Sequence, residues 1–282
     1  MPVSTWRIAR YVFFFLLLAA TIISGLRWQY DRLIHQSNPI KNPSIRIASG
    51  SNLKQISAAL ATQKIITSAH VFRLYTRWKK QQGNIKAGEY HFDDGVNMIQ
   101  VLEVLTTGKV IQHQITIVEG LRTAQVLQWL ATQTNSELKD WETAMSALMG
   151  DQQEGYLLPE TYNYLQPIEP IKLLQKMIHA QQAVMDELQI QNPQDIRIIA
   201  SIIEKETALG VERPLIASVI KNRLQKGMPL QMDPTVIYGL WRTQGGFSGK
   251  IHRVDLQRDT PWNSYTRSGL PISPICNPSR SS

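Results

Sequence analysis

Two glutamates, Glu204 and Glu206, stand in the stretch DIRIIASIIEKETAL at residues 195–209, which is otherwise rich in isoleucine. Read as a helix at about 100° per residue, Ile196, Ile198, Ile199, Ile202, Ile203 and Leu209 form an apolar arc centred on the direction of Glu206, with Glu204 about 160° away. A carboxylate within a buried stripe is costly when ionised, so its pKa rises unless a cation sits beside it. A carboxyl that keeps its proton near neutral pH is what general acid catalysis needs. The alternative is that Glu206 pairs with a buried arginine, Arg213 or Arg223, and only fixes the packing. By the same geometry Glu204 is expected on the solvated face or beside Lys205 or another basic side chain.

Further polar groups follow closely: Glu212 and Arg213, then Asn222 and Arg223, then Gln231, Asp233, Thr235 and Tyr238 in QMDPTVIYG. Amides, hydroxyls and aromatic rings are what a site for amino-sugar chains uses, because sugars offer hydroxyl and N-acetyl groups to hydrogen-bond and apolar ring faces to stack on. Taken alone, Asp233 before Pro234 reads as a turn or helix cap. The single cysteine, Cys276, can form neither an internal disulfide nor a cysteine-based metal site, and the six histidines show no HExxH or paired-ligand spacing. No metal or other cofactor is expected.

Lys and Arg outnumber Asp and Glu by 30 to 22 in the 282 residues, a formal charge of +8, which suits an anionic partner such as nucleic acid, a membrane surface or a cell-wall polymer. The N-terminus narrows that choice. The uncharged run YVFFFLLLAATIISGL at residues 11–26 has Arg7 and Arg10 before it and Arg27 and Arg32 after it. As a helix it covers about 24 Å of a hydrocarbon core of about 30 Å, so Ile8 and Ala9 must lie inside while Arg10 and Arg27 snorkel outward. Trp6, Trp28 and Tyr30 stand where interfacial aromatics belong. A cleaved signal peptide is the rival, but the run is long for one and TIISGL lacks a clean small-x-small cleavage site. The expectation is a single-pass anchor over residues 1–30 with the rest of the chain outside the cytoplasm, which disfavours nucleic acid as partner.

Residues 31–43, with two prolines and little periodicity, read as a juxtamembrane linker. Three later segments share one layout, a strand, a glycine and an amphipathic helix: Gly50 with Leu60, Gly95 with Leu105, and Gly120 with Leu130, each leucine ten residues after its glycine. Ser51, Asn97 or Thr123 can cap the helix. With a further helix at SAHVFRLYTRWKK, residues 44–113 are expected as a small α+β module, able to bind a polymer or serve as a spacer. Residues 114–282 are expected to be mainly helical, with helices near 168–188, 194–209 and 213–226, then loops and short strands from MDPTVIYGL onward.

EGYLLPETYNY at 154–164, ASIIEKET at 200–207, ERPLIASVIKNRLQKGMPLQMDPTVIYGL at 212–240 and NSYTRSGLPISPICNP at 263–278 lie in order behind the anchor. In this combination the chain resembles the endolytic murein transglycosylases, the YceG-like family, over roughly residues 44–278. The resemblance implies an α+β inner-membrane enzyme with a LysM-like module and a transglycosylase domain. Such an enzyme cuts peptidoglycan glycan strands between N-acetylmuramic acid and N-acetylglucosamine, leaves 1,6-anhydro ends and limits strand length. Its catalytic glutamate lies in the EKET motif and is carried onto Glu206, with Glu204 as the fallback. The matching residues Glu154, Tyr156, Glu204, Asn222, Arg223, Gln231, Asp233, Thr235, Tyr238, Asn263 and Tyr265 would line or brace the groove. Peptidoglycan synthases are a further expected partner. In the family the chain runs on for some tens of residues past GLP…NP, so with Ser282 as its last residue a C-terminally shortened domain is expected here. A hydrolysing muramidase and a non-catalytic peptidoglycan-binding or scaffold protein are the competing expectations.

Overall fold

Helix α1 (Thr5–His35) carries the apolar run and does not stop where that run ends. In the computed structural model, which describes residues 5–37, 39–40, 43–247 and 250–282, Arg10–His35 is long and apolar enough to cross a membrane, and none of its most apolar stretch is covered by protein. Beyond Leu26 the helix becomes part of a folded unit. Ile34 is 4% exposed within that unit's core, and the Thr67 hydroxyl donates to the Leu33 carbonyl at 3.3 Å. The linker expected from residue 31 therefore starts only after His35, because Tyr30 and Ile34 gain more by packing than by fraying. Tyr30, expected at the interface, packs against this core, whereas Trp28 is exposed. Of the expected linker, Asn38, Lys41 and Asn42 lie outside the described residues, as does the side chain of Trp6.

The chain divides into two units, Met1–His113 with Leu165–Pro167, and Gln114–Tyr164 with Ile168–Ser282. In the first, β1 (Ser44–Ile47), α2 (Leu53–Thr62), α3 (Ala69–Trp78), β2 (Gly88–His91) and α4 (Met98–Thr107) follow α1. β1 and β2 pair antiparallel with Ser44 opposite His91 and Ile47 opposite Gly88. Ile45, Ile47 and Tyr90 point from the pair into a core with Leu60, Phe72 and Leu105.

The second unit holds most of β3 (Gln112–Thr116) and of β4 (Thr161–Leu165), with α5 (Thr123–Thr134), α6 (Leu138–Met149), α7 (Pro170–Glu187), α8 (Pro193–Glu206), α9 (Arg213–Gln225), α10 (Asp233–Gln244) and the short α11 (Arg253–Leu256). β3 and β4 form a two-stranded sheet. One core gathers Val126, Leu130, Trp141, Met145 and Leu174; another gathers Ile198, Ile202, Ile203, Ile220, Tyr238 and Ile275. The mixed α+β class is as expected.

The repeated strand, glycine and helix layout is present three times. Gly50, Gly95 and Gly120 take φ of +79°, +83° and +71°, and Leu60, Leu105 and Leu130 are each 0% exposed. The caps differ from expectation in two of the three. Asn52 caps α2 in place of Ser51, Asn97 caps α4 as expected, and the Thr123 amide at the start of α5 is met by the carboxylate of Glu154 at 2.7 Å.

MDPTVIYGL is helical, against the expectation of loops and strands. Asp233 and Pro234 open α10, where a carboxylate complements the helix dipole and a missing N–H costs nothing. Gly239, which reads as a breaker, sits against the side chain of Thr260, where any Cβ would clash. α8 also ends earlier than expected, because Thr207 turns extended and its hydroxyl donates to Glu212 at 2.6 Å and accepts from the Leu209 amide at 3.0 Å.

Candidate active site

α8 is covered on most sides, with Arg197, Ile198, Ala200, Ser201, Ile202 and Ile203 all buried. On the side of Glu206 the cover is uneven: Ile196 is 36% exposed, Ile199 is half-buried, Ile203 between them in direction is 4% exposed, and Glu206 is exposed. The isoleucine arc faces the core as expected, with Ile198, Ile202 and Ile203 in it and Ile199 packed against it. Glu206 follows on the same side in the last turn of α8, where its side chain is exposed.

Glu204 is the buried one of the pair, against the expectation of a solvated face but in line with the alternative of a basic partner, which is Arg213. Its side chain is 6% exposed, accepts from the Ser279 amide at 3.0 Å and hydroxyl at 2.6 Å, and pairs with Arg213 at 3.5 Å. Arg213 also approaches Glu119 at 3.9 Å and donates to Ser281. So Arg213 serves Glu204, not Glu206, and the group ties α8 and α9 to the C-terminal segment. Nearby, the Asn277 side chain accepts from the Leu157 amide at 2.9 Å and donates to the Leu121 carbonyl at 3.0 Å.

Around Glu206 the fold gathers residues from α9, α10 and the loop after α11. The Tyr265 hydroxyl donates to the Asp233 carboxylate at 2.5 Å. Arg223 reaches from α9 to the carbonyls of Pro229 and Leu230 and to the Gln231 side chain at 3.3 Å. Gln231 takes φ +51°, and its amide donates to the Ser264 carbonyl at 2.9 Å, which fixes the entry into α10. Thr235 and Asn263 are buried braces. Thr235 shares a 2.8 Å hydrogen bond with Ser264, while Asn263 donates to the Leu256 and Arg258 carbonyls and accepts from the Tyr265 amide at 2.8 Å. Asn222 lies exposed on α9.

Electrostatics single out Glu206 in this group. Partial burial, and after it the negative charge of Asp233, raise its pKa above the usual carboxylate range. The Tyr265 hydroxyl is pushed up to about 12 by burial, by its bond to Asp233 and by the two nearby negative charges, so it is a standing donor at neutral pH. A carboxyl of raised pKa, a neighbouring carboxylate and a fixed donor are the groups that proton transfer to an oxygen between two sugars needs.

Glu154, Tyr156 and Tyr238 form a second group, lining a cavity of about 570 Å³ that also includes Gln194, Trp241 and Trp262. Glu154 accepts from the Thr123 amide at 2.7 Å, the Thr123 hydroxyl at 3.1 Å and the Tyr238 hydroxyl at 3.2 Å. Tyr238 stacks edge-on to Trp262 at 5.4 Å, the Arg122 guanidinium lies 3.9 Å over Trp241, and Arg197 lies 4.4 Å over Tyr156. Trp241 and Trp262 escaped sequence reasoning. The signal for Trp241 was its position three residues after Tyr238, which places both on one face only once α10 is read as a helix.

Burial raises the pKa of Glu154, with the bonds from Thr123 and Tyr238 and the charge of Arg122 opposing. Because the folded value lies above the unfolded one, its contribution favours the fold at low pH and is lost as pH rises through the folded value. Glu154→Gln keeps an acceptor for Thr123 and removes the titration. Its stability relative to the unsubstituted protein is therefore expected to increase as pH is raised from about 4, near the ordinary value of 4.5, to 7, read from denaturant midpoints at each pH. A difference that stays constant across that range would contradict the assignment.

Residues 45–282 match the model of the YceG-like family. The chain belongs to the YceG-like family. The matched span starts at the first strand, so every residue of both groups lies inside the YceG-like region and α1 precedes it. Over 269 residues the chain is 30% identical to a protein of Bacillus subtilis (strain 168) named endolytic murein transglycosylase, covering 85% of this chain and 73% of that one. Over 316 aligned positions it is 26% identical to a protein of the same name from Streptococcus pneumoniae serotype 2, covering 95% of this chain and 56% of that one. A crystal structure of a YceG-like protein from Listeria monocytogenes superposes with a TM-score of 0.51 at 27% identity, over 84% of this chain and 87% of that one.

Proposed function

We propose that this YceG-like chain is an endolytic murein transglycosylase, a lyase that cuts peptidoglycan glycan strands, held at the membrane by α1. The observation that carries the reading is Glu206 exposed at the C-terminal end of α8, its pKa raised by burial and by Asp233, with the Tyr265–Asp233 pair beside it. The names of the relatives support it. The carbohydrate-like chemistry of the surrounding amides and rings is consistent with a glycan groove.

Protonated Glu206 gives its proton to the oxygen between N-acetylmuramic acid and N-acetylglucosamine, and the C1–O bond breaks. The carboxylate so formed takes the proton of the C6 hydroxyl of the same muramic acid as that oxygen attacks C1, leaving a 1,6-anhydro end and a free 4-hydroxyl on the other fragment. One carboxyl serves as acid and then base, and the nucleophile is intramolecular, so positioning supplies much of the rate. Asp233 and Tyr265 position Glu206 and tune its proton. In this reading Glu154, Tyr156, Tyr238, Asn222, Arg223 and Gln231 shape the path of the strand, and cutting nascent strands limits their length. Residues 44–113 act as a LysM-like module, residues 114–282 as the catalytic domain, and both lie outside the cytoplasm above the inner membrane, where a peptidoglycan synthase could be met.

Asp233 also favours a second reading. Two neighbouring carboxyls are the equipment of a hydrolysing glycosidase, in which the second activates water or acts as nucleophile. That reading yields reducing ends in place of anhydro ends.

Removing the charge of Asp233 lowers the pKa of Glu206, and a general acid works only while protonated. In Asp233→Asn the alkaline limb of the rate against pH is therefore expected to move to lower pH, measured on uncross-linked glycan strands. A limb that stays in place while the rate falls would show that Asp233 does not act through the proton of Glu206.

A further inference from the structure

The junction of α1 with the first unit carries a groove of about 670 Å³, walled on one side by Arg27, Tyr30 and Asp31 of α1 and on the other by Tyr75 and Trp78 of α3 with Lys79 just after it. Trp78 is 70% exposed and the neighbouring Leu74 45%, and among the described residues from Ser44 to His113 no other large apolar side chain is exposed. The Lys79 ammonium lies 4.9 Å over the Trp78 ring and 5.8 Å over Tyr75, which holds a cation and two aromatic rings together at the mouth. Arg27 and Lys79 face the groove with Asp31 as the only carboxylate among its lining residues, so its net charge is positive.

The position of this groove along α1 decides what meets it. The uncharged run ends at Leu26, and at 1.5 Å per residue Arg27, Asp31 and Ile34 lie about 1.5, 7.5 and 12 Å beyond that point. The polar layer of one bilayer leaflet is roughly 5–7 Å deep. Because α1 is one unbroken helix whose Ile34 is buried in the unit, the groove cannot swing away from that layer. Tryptophan and lysine near the headgroups each favour this placement.

We propose that the groove between α1 and α3 binds an anionic phospholipid of the outer leaflet, its phosphate between Arg27 and Lys79 and its upper acyl segment against Trp78 and Leu74. The lipid seats the first unit on the membrane surface. The inference rests on α1 crossing the membrane, and its test separates the two claims.

The full chain is reconstituted into phosphatidylglycerol and phosphatidylcholine vesicles and floated on a density gradient. The detergent-solubilised chain is also titrated with each lipid and its adducts counted by native mass spectrometry. Trp78→Ala and Lys79→Gln alter exposed side chains, and Lys139→Gln on the second unit is the control. Phosphatidylglycerol adducts are expected to exceed phosphatidylcholine adducts and to weaken about fivefold in Lys79→Gln, as befits the loss of one cation at an anionic surface. Trp78→Ala weakens them as well, while Lys139→Gln does not, and every variant still floats. Flotation with adducts that ignore both groove substitutions, or that are equal for the two lipids, would overturn the groove and leave the anchor standing. Failure of the unsubstituted chain to float would sink the anchor and the groove together.

Discussion

Glu206→Gln is expected to reduce cleavage of uncross-linked glycan strands by about a thousandfold, within the range that a positioned proton donor and acceptor contributes. The substitution keeps the size and the planar head of the side chain but can neither give up a proton to the glycosidic oxygen nor collect one from the C6 hydroxyl. Because Glu206 is exposed at the end of α8, its replacement costs the fold little, and the melting temperature should stay within about a degree or two of the unsubstituted protein. Strand binding persists, because the groove is unchanged. Rates measured by release of soluble fragments, beside a thermal melt of the same sample, check both statements. A Glu206→Gln protein that cuts at a tenth of the normal rate or better would remove Glu206 from the chemistry.

Glu204→Ala acts in the opposite manner. It leaves Arg213, 11% exposed, without its buried carboxylate, frees the Ser279 amide and hydroxyl, and so loosens the segment that holds α8 and α9 to the C-terminal residues. The Arg213 Nε atom already has no hydrogen-bond partner among the described residues, so the loss is not easily made good. Removing one partner of a buried pair costs about 3–5 kcal/mol, and for a unit of this size each 1 kcal/mol lowers the melting temperature by roughly 2–4 °C. A fall of about 10 °C is expected, with cleavage by the remaining folded protein still measurable at low temperature. Unchanged stability together with lost cleavage would transfer the catalytic role to Glu204.

The two glutamates also show where sequence reasoning was informative and where it misled. Periodicity separated their directions, and that geometry chose Glu206, since the EKET motif holds both. The isoleucine arc faces the core as its period implies. What periodicity could not give is how far along α8 the cover reaches, because that depends on the elements packed around the helix, here α9, α10 and the segment after residue 270. The strand, glycine and helix repeats were legible because each is set by a positive φ and one buried leucine within about ten residues. α10 was missed because Gly239 serves a contact with Thr260, distant in sequence, and a glycine required by a neighbour looks the same as one required by a turn. The cavity around Glu154 was half visible. Its carboxylate and two tyrosines could be named, but Trp262 enters from a loop whose path follows from Asn263 gripping the Leu256 and Arg258 carbonyls.

The central claim is that Glu206 drives an intramolecular cut, and the most direct test is the mass of the new ends formed in water enriched in oxygen-18. The full chain is incubated with uncross-linked glycan strands in labelled water, and the soluble fragments are weighed beside those of Glu206→Gln. The account predicts muramic ends lighter than hydrolysis products by one water, free of label, and missing from the Glu206→Gln reaction. Reducing ends carrying one labelled oxygen would contradict it and assign the pair of Glu206 and Asp233 to hydrolysis.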